Sequence, residues 1–263
     1  MLITRRLSNL RFSSTLLAVG LLIAVFLGSS AGASHSWGNY HWARQSNPFT
    51  LKLGRNLTSS WQPYLATAST DWSVSTVLDA TVVAGTKNPK TCKPTLGRVE
   101  VCNSKYGNNG WLGLAQIWIN SSSHIVQGVV KVNDTYMNRA PYNTVAEKNH
   151  VMCQEVGHTF GLGHQDESGA DLGTCMDYSM SLASQHPNAH DYQQLETIYA
   201  HLDTTTTVNM TSTSKAAKTS DLGTKQNWGR RVFRAKSGLL EVYERQFSDG
   251  SKIVTTVTLV SHN

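Results

Sequence analysis

The chain has 263 residues, 40% hydrophobic and 15% charged, with four cysteines and a formal net charge of +6. That length suits one globular domain, with or without an appendage, and leaves enough apolar side chains for a sizeable core. Three arginines and no acids lie in the first 33 residues, so the charge without them is +3. Residues 204–263 hold nine basic and four acidic side chains, net +5, which leaves 34–203 at −2. The basicity belongs to the C-terminal tail, so nothing in it marks the main segment as a nucleic-acid binder.

Residues 1–33 read as a secretory signal peptide. Arg5, Arg6 and Arg11 form a positive start, an apolar run follows from Leu16 to Leu27, and Ala31-Gly32-Ala33 supplies a small-x-small cleavage site near Ala33. The alternative is an uncleaved anchor, for which the run is short against the roughly 20 residues of a membrane span. The expected organisation is signal peptide 1–33, main domain 34–203, linker 204–226 and a small β unit 227–263.

The alternating FTLKL at 49–53 predicts a half-buried strand. Ser60 is placed to cap a helix carrying Trp61, Leu65, Ala68 and Trp72 at helical spacing, with Pro63 tolerable in the first turn. VLDATVVA (77–84), RVEVC (98–102), LAQIWIN (114–120) and HIVQGVVKVN (124–133) read as strands. Thr144 and Glu147 have the spacing of a capping box opening a helix with Met152, Val156 and Phe160 on one face. Gly161 ends it, because glycine accepts the left-handed conformation. A last helix is expected over about 189–202. The Ser/Thr-rich run 204–226 reads as a linker. Beyond it, SGLLEVYERQF and SKIVTTVTLV flank Ser248-Asp249-Gly250 as a hairpin.

The chemistry concentrates in QEVGHTFGLGH, 154–164. Gln154 and His158 are four residues apart and share a helix face, with Glu155 beside it. Gly161 turns the chain so that His164 returns to the same point. Three such ligands plus a water make the open tetrahedral site of a catalytic zinc, and a neighbouring carboxylate can act as general base.

These residues resemble the metzincin metalloproteases, whose signature is H-E-x-x-H-x-x-G-x-x-H followed by a methionine turn. Glu155, His158, Gly161, His164 and Met176 match, and Gln154 stands where the first histidine belongs. Tyr178, two residues after Met176, resembles the tyrosine of the astacin and serralysin branches. The order of elements over about 37–202 is similar to that of matrixins. The resemblance implies an α+β fold: a twisted, mixed, mainly parallel sheet of about five strands on long helices, here with a small C-terminal β-hairpin unit.

It also implies a secreted, monomeric zinc endopeptidase acting on protein or peptide substrates. Zn(2+) would be held by His158, His164 and Gln154, with Glu155 as general base and Tyr178 assisting the oxyanion. Met176 would form the floor beneath the metal, which brings Cys153 and Cys175 together and leaves Cys92 with Cys102. Substrate would add to a sheet edge, for which LAQIWIN is the candidate. A glutamine amide oxygen is a weaker zinc ligand than imidazole. The second functional reading is therefore an inactive metzincin-fold module that grips peptide or a surface polymer without cutting. Arg230, Arg231, Arg234 and Lys236 offer a weak contact to an anionic cell surface; the other reading is a cationic hairpin packed on the main domain.

The remaining histidines carry no ligand spacing. His150 lies eight residues, about 12 Å along a straight helix, from His158 and reads as partly exposed. His35, His41, His124, His186, His190 and His201 read as surface or satisfied core residues.

Overall fold

The computed structural model describes residues 35–165, 169–177, 179, 181, 183–211 and 223–261. The expected signal peptide and Tyr178 lie outside them. The described residues all fall within one compact unit.

Each strand expected before the motif helix is present. β1 (His41–Trp42), which the sequence reading did not anticipate, precedes β2 (Phe49–Asn56), where alternating burial follows the alternating sequence. Helix α1 (Gln62–Trp72) buries Leu65, Ala68 and Trp72; its N-cap is Trp61, not Ser60, and Pro63 sits in its first turn. There follow β3 (Leu78–Ala84), β4 (Val99–Ser104), β5 (Trp111–Ile119) and β6 (His124–Asn133). A short α2 (Asp134–Met137) leads to the motif helix α3 (Val145–His158), and α4 (Ala189–Ile198) starts at an Asn188 capping box. Strands β7 (Arg230–Arg234), β8 (Leu240–Gln246) and β9 (Lys252–Leu259) complete the chain.

The fold is α+β, but the sheet differs from the expected five mainly parallel strands. Among the described residues nine strands join it, in the order β3-β2-β4-β6-β5-β9-β8-β7, with β1 beside β6. The pairs of β2 with β3, β2 with β4, β4 with β6 and β1 with β6 are parallel. Those of β5 with β6, β5 with β9, β8 with β9 and β7 with β8 are antiparallel and make up the larger share of paired residues. The difference has one cause: the residues expected to form a separate β unit instead extend the main sheet. Thr258, Val257 and Thr256 pair with Gly113, Leu114 and Ala115. LAQIWIN therefore lies in an interior strand, bonded on both sides and buried along its whole length.

Both expected disulfides are present, Cys92–Cys102 and Cys153–Cys175. Closing loops of that order stabilises a fold by about 3 kcal/mol each. No helix of the described residues is long and apolar enough to cross a membrane. In the C-terminal strands, Glu241 pairs with Lys225 at 2.8 Å and Arg231 at 2.7 Å. Part of the basic surface is thus internally neutralised, which favours the packed-hairpin reading of these cations.

At the start of α3 the Thr144 side chain accepts from the Glu147 backbone N–H at 3.1 Å. Only this half of the capping box forms as a hydrogen bond. The Glu147 carboxyl is buried with Oε1 unpartnered, and burial raises its pKa from 4.5 to about 7. A carboxyl raised on folding contributes stability below its unfolded value and loses it as pH rises through the folded one. Wild type should therefore lose stability relative to Glu147→Gln between pH 4.5 and about 7, as read from denaturant midpoints.

At the other end, Gly161 has φ +95°, and a Cβ there would stand 2.1 Å from the Tyr40 carbonyl oxygen. Gly161→Ala combines left-handed strain with a backbone clash and should cost roughly 2 kcal/mol or more in urea unfolding.

Candidate active site

Helix α3 carries the motif into the interior. Met152, Val156 and Phe160 are fully buried, as their four-residue spacing requires, so the adjoining face with Gln154, Glu155 and His158 is also held away from water. The turn at Gly161 brings His164 back against the helix, and the rings of His158 and His164 have centroids 4.5 Å apart. The Nδ1 of His158 donates to the Leu162 carbonyl at 2.8 Å, which leaves Nε2 as the lone-pair nitrogen. That Nε2 is buried without a hydrogen-bond partner. Burial lowers the pKa of His158 to about 4 and that of His164 well below the usual histidine range, so both are neutral at pH 7. Neutral imidazole is the form that binds metal.

Met176 lies beneath the helix. A Cβ on Gly157 would meet the Met176 sulfur at 2.7 Å, so only glycine at 157 allows this approach. The Cys153–Cys175 bridge joins the helix to the turn. The Gln165 N–H donates to the Met176 carbonyl at 2.7 Å, tying the segment after His164 to the same turn.

Gln154 is placed differently from a ligand. Its Nε2 donates to the Cys175 and Asp177 carbonyls at 2.9 and 3.1 Å, and its Oε1 lies 2.6 Å from Thr258 Oγ1. In this arrangement it is a tie between α3, the methionine turn and β9. His150, expected to be partly exposed, is buried at 5% exposure, with Nδ1 on the Ser184 carbonyl and Nε2 3.3 Å from the Gln154 amide. The sequence places it correctly on the Gln154 face but cannot show that residues 184 and 258 cover that face.

Thr258 Oγ1 is also 2.6 Å from Glu155 Oε1. A hydroxyl has one proton and can donate to only one of the two oxygens. Burial pushes the Glu155 carboxyl up to about 8, partly offset by its bonds to Thr258. The carboxyl is then protonated at neutral pH and supplies one proton of the pair, while Thr258 donates to Gln154. Glu155 in this state is not a base. It reaches β5 where Gly113 leaves room, since a Cβ there would stand 2.7 Å from Glu155 Oε1.

The space enclosed by Gln154, His164, Asp177, Leu240 and Thr258 is about 20 Å³. That admits one water or ion, which needs about 10–15 Å³, and no peptide. Strand β9 takes the β5 edge expected from the sequence to be free. Thr258 and Gly113 are the site residues the sequence reading missed. Gly113 had a signal, because glycine inside a strand marks a close approach. Thr258 had none: it is one threonine of an ordinary alternating strand.

Among the described residues, two groups of histidine and aspartate could hold a metal ion: His35, His190 and Asp191, and His41, His124 and Asp203. Neither includes the motif pair. No protein-family model matches the chain, and no curated protein matches it significantly.

Thr258→Val keeps the shape and removes the hydroxyl. The Gln154 amide oxygen and the Glu155 carboxyl then lose their shared partner, and stability should fall by about 1–3 kcal/mol in urea unfolding. The change should be much smaller when Gln154→Leu is already present, a coupling read from the double-mutant cycle.

Proposed function

We propose that the protein is a secreted zinc-dependent endopeptidase of metzincin type, held closed in this arrangement by its own C-terminal strands. The observation that carries the reading is the buried, unpartnered Nε2 of His158, whose ring stands against that of His164. Leaving such a nitrogen unpaired costs about 1–3 kcal/mol, and a bound cation relieves that cost. His158 and His164 suit zinc as neutral imidazoles. Gln154 can join them only if Thr258 releases its oxygen, and Tyr178 is the residue the resemblance offers to complete the shell.

When bound, zinc supplies a Lewis acid and lowers the pKa of its water towards about 7. Withdrawal of β9 would let solvent reach Glu155, lower its raised pKa and make it the base that takes the water's proton. It would also free the β5 edge for a peptide to pair with. The apolar N-terminal segment and the two disulfides support secretion into an oxidising compartment.

A specific protease site placed within 212–222 tests closure without deleting the strands. Casein digestion should be low for the intact chain and rise after the cut, depend on added zinc, and vanish in Glu155→Ala. Equal digestion by Glu155→Ala would refute the catalytic role.

One observation favours the second reading, a module that grips peptide without cutting: every polar atom of the Gln154 amide is engaged. Under that reading the cut chain stays inactive, and Gln154→His creates both metal binding and hydrolysis.

A further inference from the structure

Three histidines and an aspartate from distant parts of the chain converge at the other end of the main sheet. His41 opens β1, His124 opens β6 beside it, and His201 and Asp203 follow α4. His41 Nε2 and His124 Nε2 lie 3.4 and 3.3 Å from the same oxygen, Oδ1 of Asp203. His201 Nε2 lies 3.2 Å from His41 Nε2 and 3.7 Å from Asp203 Oδ1. Four ligands held about 2.05 Å from a zinc ion in a regular tetrahedron stand about 3.3 Å apart. These four separations scatter around that value; the ligand atoms of His41, His124 and Asp203 all lie within 4.8 Å of one another, and His201 stands outside that group of three.

The surroundings orient these groups as the outer shell of a metal site does. The Nδ1 of His41 donates to the Asn39 carbonyl at 2.8 Å, so its Nε2 carries the lone pair. That lone pair faces a carboxylate oxygen, two acceptors with no proton between them unless the ring is charged. The other Asp203 oxygen, Oδ2, is held by the Arg44 guanidinium at 2.9 Å and the Arg44 N–H at 3.2 Å. Arg44 is itself buried at 2% exposure and donates to the Tyr199 carbonyl at 2.7 Å. Asp203 is therefore clamped with Oδ1 turned towards the imidazoles. His41 and Asp203 are each 9% exposed and His124 18%, whereas His201 is 55% exposed.

We propose that His41, His124 and Asp203 form a structural site for a divalent transition-metal ion of the zinc class, with His201 closing the shell from the solvent side. Three imidazoles and a carboxylate are a zinc-type donor set, and four protein ligands leave no open position for chemistry. The ion fastens β1, the start of β6 and the segment after α4 to one another. The site is separate from the motif histidines and does not depend on how they function.

The test measures metal by mass spectrometry on the purified full chain, with cobalt(II) absorption as an independent readout of tetrahedral ligation. Carrying His158→Ala and His164→Ala removes any metal held at the motif. This double variant should still bind one zinc or cobalt per chain, with intense visible cobalt bands and a melting temperature that falls on chelation. Adding His124→Ala should abolish the bands and the chelator-sensitive shift. His201→Ala alters only an exposed side chain, so folding is not at stake; it should weaken cobalt affinity by more than about tenfold. The proposal is overturned if the double variant binds no metal, or if His201→Ala and His124→Ala leave affinity unchanged.

Discussion

The junction of the motif helix, the turn at Met176 and the last strand depends on one side-chain amide. Gln154 projects from the motif helix into the gap between the methionine turn and the last strand, and meets both through three hydrogen bonds. An amide suits this place because it offers donors to two backbone carbonyls and an acceptor to a hydroxyl. An imidazole has one donor and one acceptor when neutral and would leave one carbonyl unserved. The departure from the metalloprotease signature is therefore tied to the arrangement of residues more than 100 positions away.

That link joins the two unusual features of the chain. A metalloprotease cleft needs an exposed strand edge, and here the edge of β5 is taken by β9, with Thr258 set against both Gln154 and Glu155. Backbone pairing along eight residues of β9 and the burial of Val254 and Val257 make the occupant part of the core. The same cover dries the site. Dryness raises the proton affinity of Glu155 and lowers that of His158 and His164. The histidines and the carboxyl are thus all held in their neutral forms.

At the opposite end, the cluster of His41, His124, His201 and Asp203 follows a different physical logic. Its members come from three separate segments: β1, the start of β6, and the residues after α4. β1 is two residues long, and the segment after α4 has left its helix. Arg44 and Tyr199 bind these pieces by hydrogen bonds, and a cation between His41, His124 and Asp203 would add a further link.

Local order was legible in the sequence. Alternation defined β2, and β-rich composition marked β4 and β6. The spacing of Met152, Val156 and Phe160 defined the buried face of α3, Gly161 its end, and Thr144 its start. The two cysteine pairs followed from the methionine turn lying under the helix, as the resemblance implied. These features depend on neighbours a few residues apart, which a linear chain displays. Long-range pairing was decided only in three dimensions. Whether 227–263 stands apart or joins the sheet depends on which strand edge is free, and no periodicity encodes that. The partners of Gln154, the burial of His150, and the meeting of histidines 41, 124 and 201 with Asp203 likewise need the chain to fold back over many residues. Side-chain type determined what each group could bind; the tertiary structure alone decided which groups meet.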